Sequence, residues 1–205
     1  MNTYRHVIAK GKVRKDRFTV AIFGSARIKD DKPMYKKVYN LAKMLGERDI
    51  DVVTGGGPGL MKAANSGHKF GSKETMARSI GLGIKLPKEQ KFNSYLDETE
   101  TFMRFTNRLD NFMLLSNAVV VASGGVGTLL ELFYTWQLVQ VKHKKDIPII
   151  LYGDMWPGLL KWLKMRPLRK GYFGIEDYKL LYYAKTEKEA MELIDKAHKK
   201  FNNQN

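Results

Sequence analysis

Short apolar runs alternate with segments of helical periodicity along most of this chain, and this alternation limits its fold more than any other feature. Apolar residues spaced three or four apart follow each run, as in amphipathic helices. Strands buried on both faces are continuous apolar runs, and helices between consecutive strands build a parallel sheet. The sequence therefore predicts the α/β class, a doubly wound parallel sheet with helices on both faces. The predicted strands are residues 17–25, 51–54, 79–86, 118–122, 147–151 and 180–184, with a polar loop at residues 88–100.

Length and composition exclude several classes of protein. The 205 residues predict one domain, residues 17–205, after a basic N-terminal arm, residues 1–16. A hydrophobic content of 43% is too high for a disordered chain. No apolar segment approaches a membrane span or the core of a signal peptide, so we expect a cytoplasmic protein without a membrane partner. The chain has no cysteine, and its four histidines show no ligand spacing, so we expect no metal.

The charge is strongly positive. Thirty-six Lys and Arg against 21 Asp and Glu give +15 at pH 7, which attracts polyanions and anionic metabolites. The cations are dispersed along the chain, with clusters at residues 5–15, 161–170 and 196–200. This dispersal favours a solvated surface over a nucleic-acid footprint, and the sequence has no common nucleic-acid-binding module. We therefore do not expect nucleic acid as a partner.

Three glycine-rich turns follow predicted strands, at residues 24–25, 55–59 and 124–127. Ligands of open parallel sheets bind outside the carboxyl ends of the strands, so neighbouring turns would converge on one crevice. Glycine lets the backbone approach a ligand, and a helix that starts behind the turn offers free N–H groups to a phosphate. The segment SGGVGTLLE lacks the P-loop lysine and the GxGxxG pattern, which argues against nucleoside-triphosphate hydrolysis. The alternative is three tight connections without a ligand.

Each candidate charged residue has two interpretations. Glu131 could close a helix capping box with Thr128, or it could reach a sugar whose phosphate is held at the helix start. Arg108 could belong to a solvated basic face with Arg104, or it could clamp a phosphate. Glu89 could be a surface residue of the polar loop or a substrate contact. Spacing alone leaves these alternatives open.

The motifs TGGGPGLMKAAN, residues 54–65, FGSAR, residues 23–27, and SGGVGTLLE, residues 123–131, resemble the Lonely Guy (LOG) family. The signatures of that family are GGGPG and PGGxGTxxE. The segments SIGLGIKLPKEQ and IPIILYG are similar to the family as well, and the resemblance extends from about residue 17 to residue 163. It implies a Rossmann-like fold, a homodimer or larger homo-oligomer, and a small-molecule nucleotide substrate.

The resemblance also implies an activity and a set of site residues. Family members are phosphoribohydrolases that cleave cytokinin riboside 5′-monophosphates, and often AMP, to free base and ribose 5-phosphate, without a cofactor. The catalytic pair would be Arg108 and Glu131. The substrate and phosphate contacts would be Gly24, Ser25, Gly55, Gly56, Gly57, Glu89, Gly124, Gly125, Val126, Gly127 and Thr128.

Three departures from the family pattern keep a second function open. Ser123 replaces the motif proline, Leu109 replaces the lysine that usually follows the catalytic arginine, and Gln137 stands where a threonine often contacts substrate. The alternative to the enzyme is a non-catalytic protein of the same superfamily that binds or carries a nucleotide or molybdenum cofactor. Pyridoxal chemistry needs a defined Schiff-base lysine, and no lysine here stands out as one.

Overall fold

A computed structural model describes residues 16–85, 91–144 and 147–203. Its centre is a seven-stranded, wholly parallel sheet with the strand order β4-β3-β2-β1-β5-β6-β7. The strands are β1 (Thr19–Phe23), β2 (Asp51–Thr54), β3 (Ser79–Ile84), β4 (Glu98–Phe102), β5 (Ala118–Val121), β6 (Ile149–Tyr152) and β7 (Leu181–Ala184). This sheet confirms the predicted α/β class.

Seven α-helices connect and follow the strands in these described residues. They are α1 (Pro33–Glu47), α2 (Leu60–Gly71), α3 (Phe105–Leu115), α4 (Val126–Gln140), α5 (Pro157–Leu163), α6 (Ile175–Tyr178) and α7 (Glu187–Asn202). A 3₁₀ turn, Ser72–Glu74, follows α2, and a π-helical turn, Lys164–Leu168, follows α5. None of these helices is both long and apolar enough to cross a bilayer.

Alternate residues of the central strands bury their side chains in two separate cores. On β1, Val20 and Ile22 pack in one core with α1, α2 and α7. Ala21 and Phe23 pack on the opposite face with α3, α4 and α5. Side chains of a strand alternate between faces, so a strand covered on both sides is a nearly continuous apolar run. This double burial is the reason that the apolar runs identified the central strands.

The edge strand β4 differs from the expectation of a polar loop at residues 88–100. The sequence of β4 is ETETF, and its residues pair in parallel register with β3 from Ile80↔Glu98 to Ile84↔Phe102. An edge strand is only partly covered and carries polar residues, so it lacks the apolar run of a central strand. The predicted arm, apart from Asp16, and Glu89 lie outside the described residues.

The order of the strands determines where the crevice of the sheet lies. The chain builds β2, β3 and β4 on one side of β1, and then returns to build β5, β6 and β7 on the other. Such a reversal between neighbouring strands opens a crevice at their carboxyl ends. Here the crevice lies between the turn after β1 and the turn after β5.

Candidate functional site

Backbone hydrogen bonds join the three glycine-rich turns. The N–H of Ser25, after β1, donates to the carbonyl of Ser123, after β5, at 3.0 Å. The carbonyl of Ser25 accepts from the N–H of Leu60, at the start of α2, at 2.9 Å. Gly59 has φ +65°, and a Cβ there would lie 2.4 Å from the carbonyl oxygen of Ser25. The structure therefore brings together the turns that the sequence predicted to converge, and the close approach requires glycine at position 59.

A cleft of about 460 Å³ opens where the turns meet. This volume lies within the range of small-molecule sites. Backbone from the turns, two charged groups that face each other and several apolar side chains form its walls. The lining residues are Ile22, Phe23, Gly24, Ser25, Ala26, Arg27, Gly55, Met61, Ile84, Arg108, Gly125, Val126, Gly127, Thr128 and Glu131.

The N-terminus of α4 forms one wall of this cleft. Gly125 is the N-cap residue, so the N–H groups of the following turn have no acceptor within the helix. A Cβ on Gly125 or Gly127 would meet no atom within 4 Å, so packing does not require glycine at either position. A Cβ on Gly124 would instead lie 2.1 Å from Oγ1 of Thr128, and Gly124 is not among the lining residues. The turn therefore requires glycine at position 124. The missing Cβ atoms of Gly125 and Gly127 instead leave open space beside the N–H groups at the start of α4.

Glu131 does not cap its helix. The helix begins at Val126, no side chain caps it, and Thr128 lies inside its first turn, so the capping-box interpretation is wrong. The Glu131 carboxylate instead faces α3, with its Oε1 atom 3.4 Å from Nη1 of Arg108. Nε of Arg108 donates a hydrogen bond to the carbonyl of Leu82, on β3, at 2.7 Å. Three elements thus fix this ion pair at the edge of the cleft.

Burial and pairing act on this ion pair in opposite directions. The side chains of Arg108 and Glu131 are only 11% and 12% exposed. Burial raises the pKa of Glu131 to about 7, although the guanidinium of Arg108 works to lower it. Burial also lowers the pKa of Arg108, and the Glu131 carboxylate opposes that shift. A carboxyl group with a pKa near 7 can exchange a proton at neutral pH, as a general acid or base must.

The two arginines of α3 have different surroundings. Arg104 is the N-cap residue of α3 and is exposed, so the interpretation as a solvated cation fits it. Arg108 lies one turn later and is buried, with its guanidinium 5.0 Å from the centroid of the Phe112 ring. The side chain passes against Gly55, where a Cβ would lie 2.5 Å from Nη2 of Arg108. Gly55 therefore provides the space that the guanidinium occupies.

A buried polar network lies under the turn after β2. Asn65 accepts from the Thr54 hydroxyl at 2.9 Å and donates to the Ser79 hydroxyl at 2.8 Å. The Asn93 amide donates to Oδ1 of Asn65 at 2.9 Å and to the carbonyls of Gly56 and Gly57 at 3.0 Å. Gly56 and Gly57 are buried and are not among the lining residues, so here they belong to the support of the turn.

Sequence reasoning missed several residues of the site and its support. Arg27, Met61 and Ile84 line the cleft, and Asn93 holds the turn after β2. The first two lie inside the glycine motifs, and Ile84 ends β3, so their positions at strand ends could have indicated them. Asn93 lies in the predicted polar loop and belongs to none of the family motifs, so only its contacts identify it.

None of the three departures from the family pattern is among the residues that line the cleft. Leu109 is buried, and Gln137 is exposed on α4 with its amide bonded to Gln140 at 3.0 Å. Ser123 lies in the turn itself, where its carbonyl accepts from Ser25. Glu89 lies outside the described residues.

Solved structures share this fold. A molybdenum cofactor binding protein from Rippkaea orientalis has a TM-score of 0.64 at 20% identity, over 88% of this chain and 96% of the other. The molybdenum cofactor carrier protein of Chlamydomonas reinhardtii has a TM-score of 0.60 at 18% identity, over 88% and 98% of the two chains. At these identities the likeness establishes the fold alone.

Curated relatives match the sequence as well. A pyrimidine/purine nucleotide 5′-monophosphate nucleosidase of Escherichia coli K12 is 27% identical over 140 residues, 65% of this chain and 30% of its own length. A bifunctional cytokinin biosynthesis protein of Fusarium pseudograminearum is 25% identical over 194 residues, 86% of this chain and 39% of its own. The match thus spans less than half of either relative.

A family model described as "Possible lysine decarboxylase" matches residues 61–194. That span begins just after the second glycine-rich turn and includes both members of the buried ion pair and the third glycine motif. The chain therefore belongs to this family, the LOG family that its glycine motifs resemble.

Proposed function

We propose that this protein is a hydrolase that cleaves the N-glycosidic bond of adenine-type nucleoside 5′-monophosphates, either AMP or cytokinin ribosides, to free base and ribose 5-phosphate. The observation that carries the proposal is the buried Arg108–Glu131 pair beside the open N-terminus of α4. The names of the relatives from Escherichia coli and Fusarium pseudograminearum support the same chemistry on nucleotides.

The turn before α4 would hold the 5′-phosphate. The free N–H groups from Val126 to Thr128 and the helix dipole favour an anion, and the missing Cβ atoms of Gly125 and Gly127 leave room for it. Arg27 adds a cation to the same cleft. The apolar side chains of Met61 and Ile84 are suited to the flat faces of a base rather than to a second phosphate.

Glu131 would act at the sugar. As the bond from C1′ to the base nitrogen breaks, its electron pair leaves with the base and C1′ becomes an oxocarbenium-like centre. The carboxylate stabilises that positive charge and accepts a proton from the water whose oxygen bonds to C1′. The departing base takes up a proton from solvent and Glu131 later releases its proton to solvent, so the net reaction consumes one water and gives free base and ribose 5-phosphate.

Arg108 would keep Glu131 ready for this role. Its charge opposes the effect of burial on the carboxyl pKa, so a useful fraction of Glu131 is ionised at neutral pH. Its hydrogen bond to Leu82 fixes the guanidinium on one side of the cleft. We therefore expect Arg108 to orient the Glu131 carboxylate and to favour its ionised form.

The Glu131→Gln variant tests the proposal, because it removes the charge and nearly keeps the shape. We expect it to bind AMP, as measured by calorimetry, while adenine release measured by chromatography falls by at least about a hundredfold. Glu192→Gln, on the exposed face of α7, makes the same chemical change away from the cleft and should release adenine at the normal rate. Undiminished adenine release by Glu131→Gln would overturn the assignment.

The second candidate function is a protein that binds a nucleotide or molybdenum cofactor as cargo without hydrolysing it. The solved structures of similar fold support it, since both are named for molybdenum cofactor binding or transport. The same incubation distinguishes the two functions. Recovery of intact AMP with the wild-type protein would favour the carrier, and free adenine would favour the hydrolase.

A further inference from the structure

A second groove lies on the segment that follows β6. Helix α5 continues into the π-helical turn Lys164–Leu168, and together they form one side of a groove of about 470 Å³. The lining residues recur three or four positions apart, so they share one face of the helical segment. They are Gly158, Lys161, Trp162, Met165, Arg166 and Arg169. None of them lines the cleft at the β1 and β5 turns.

The groove displays a large aromatic ring. Trp162 is 54% exposed, whereas the other two tryptophans, Trp136 and Trp156, are 8% and 0% exposed. No aromatic ring among the described residues pairs with the Trp162 indole. An exposed indole with no ring partner offers a flat face on which a planar ligand group can stack.

The charged side chains in the segment around Trp162 are all positive. Residues 157–171 contain five cations, Lys161, Lys164, Arg166, Arg169 and Lys170, and no carboxylate. Within the part of the chain that the structure describes, no carboxylate forms an ion pair with any of the five. A second copy of this face would bring the same uncompensated charge, which opposes self-association. The groove instead complements a polyanion.

An exposed indole beside several cations indicates which class of polyanion the groove binds. We propose that this groove binds single-stranded nucleic acid, with a base stacked on Trp162 and adjacent phosphates held by Lys161, Arg166 and Arg169. Proteins that hold single strands pair aromatic platforms with a cationic groove in this way. A duplex keeps its bases stacked inside and cannot offer a base face to the indole. The π-helical turn is consistent with a functional surface, because such turns inside helices often occur at binding sites.

Tryptophan fluorescence of the full chain provides the test. Trp162 is the one tryptophan of the three with substantial exposure, so stacking of a base should quench mainly its emission. We expect a 12-nucleotide oligouridylate to quench, and a duplex RNA of the same length to quench much less. With three phosphate contacts, the logarithm of the binding constant should fall against the logarithm of salt concentration with a slope of about −2. Inorganic polyphosphate should compete without producing the quench of a stacked base.

Variants distinguish the contribution of the Trp162 ring to binding from that of the cations. Binding is measured by the fluorescence anisotropy of a labelled oligouridylate. Trp162→Ala should weaken binding at least about fivefold, and the double variant Arg166→Gln, Arg169→Gln should reduce the slope to about −0.7. The double variant Lys196→Gln, Lys200→Gln removes the same charge from an exposed part of α7 and should leave the slope near −2. Circular dichroism confirms that each variant is folded.

Several results would overturn this proposal. Equal weakening by the α7 control would show that the overall charge binds the strand without a dedicated groove. Normal binding by Trp162→Ala would exclude the stacking platform. Quenching by phosphatidylserine vesicles but not by oligouridylate would assign the groove to a membrane surface. A dimer in light scattering that Trp162→Ala dissociates would assign it to contact between copies of this chain.

Discussion

Gly55→Ala would test whether the position of Arg108 controls catalysis, because it adds one methyl group beneath the guanidinium. In the structure that methyl carbon would lie 2.5 Å from Nη2 of Arg108 and 2.7 Å from Sδ of Met61. Ordinary van der Waals contact begins near 3.4 Å, so the guanidinium must move by about 0.9 Å. The same guanidinium donates the hydrogen bond to Leu82 and pairs with Glu131, so we expect the movement to disturb both interactions.

The structure gives the size of the expected effect. A displacement of about 1 Å in a catalytic group can cost on the order of a hundredfold in rate, or about 2.7 kcal/mol in transition-state stabilisation. The fold should survive, because the atoms in contact are the ends of two flexible side chains. We expect the free energy of unfolding to fall by about 1–2 kcal/mol, which most domains tolerate.

The assay is kcat/KM for adenine release from AMP, with urea unfolding measured in parallel. Gly158→Ala is the matched control, because its added methyl group meets no atom within 4 Å and it lies on α5, away from the cleft. The control should keep the wild-type kcat/KM. Folded Gly55→Ala protein with wild-type kcat/KM would refute the idea that Arg108 must occupy its observed position.

Two further predictions concern the ion pair and the network beneath the turn. The rate of adenine release should rise with pH through about 7 as Glu131 ionises, and Arg108→Gln should move this rise to higher pH, because it removes the charge that opposes burial. A pH–rate profile measures both, and an unchanged midpoint in the variant would contradict the pairing. Asn65→Leu should lower the free energy of unfolding by about 2–3 kcal/mol in urea, because it leaves buried polar partners unpaired. Asn40→Leu, at an exposed position of α1, is its control, and equal losses in both variants would contradict this reasoning.

The central strands could be predicted because helices cover both of their faces. Residues 118–122 are apolar at every position, and β2 is apolar at its two central residues, since both faces of β5 and β2 are covered. The same rule missed β4, whose alternating polar residues belong to an edge. Convergence of the glycine turns also followed from the sequence, because the carboxyl ends of parallel strands share one edge of the sheet.

Sequence could not choose between the two roles of Glu131. The pattern Thr128-x-x-Glu131 fits a capping box, but that box requires Thr128 to be the N-cap residue, and the N-cap of α4 is Gly125. The partner of Glu131 comes from α3, which packs across the same face of the sheet. Likewise, the cations of residues 161–170 read as dispersed charge, and the helical turn gathered three of them around Trp162.

The sequence by itself determined the parallel sheet, its cover of helices on both faces and the edge at which its glycine turns meet. These follow from local patterns, because burial and backbone hydrogen bonding act on neighbouring residues in the chain. The tertiary structure alone decided that a carboxylate and a guanidinium 23 residues apart would share one buried pocket and shift each other's pKa. Desolvation and pairing depend on distances across the fold, and spacing along the chain does not set those distances.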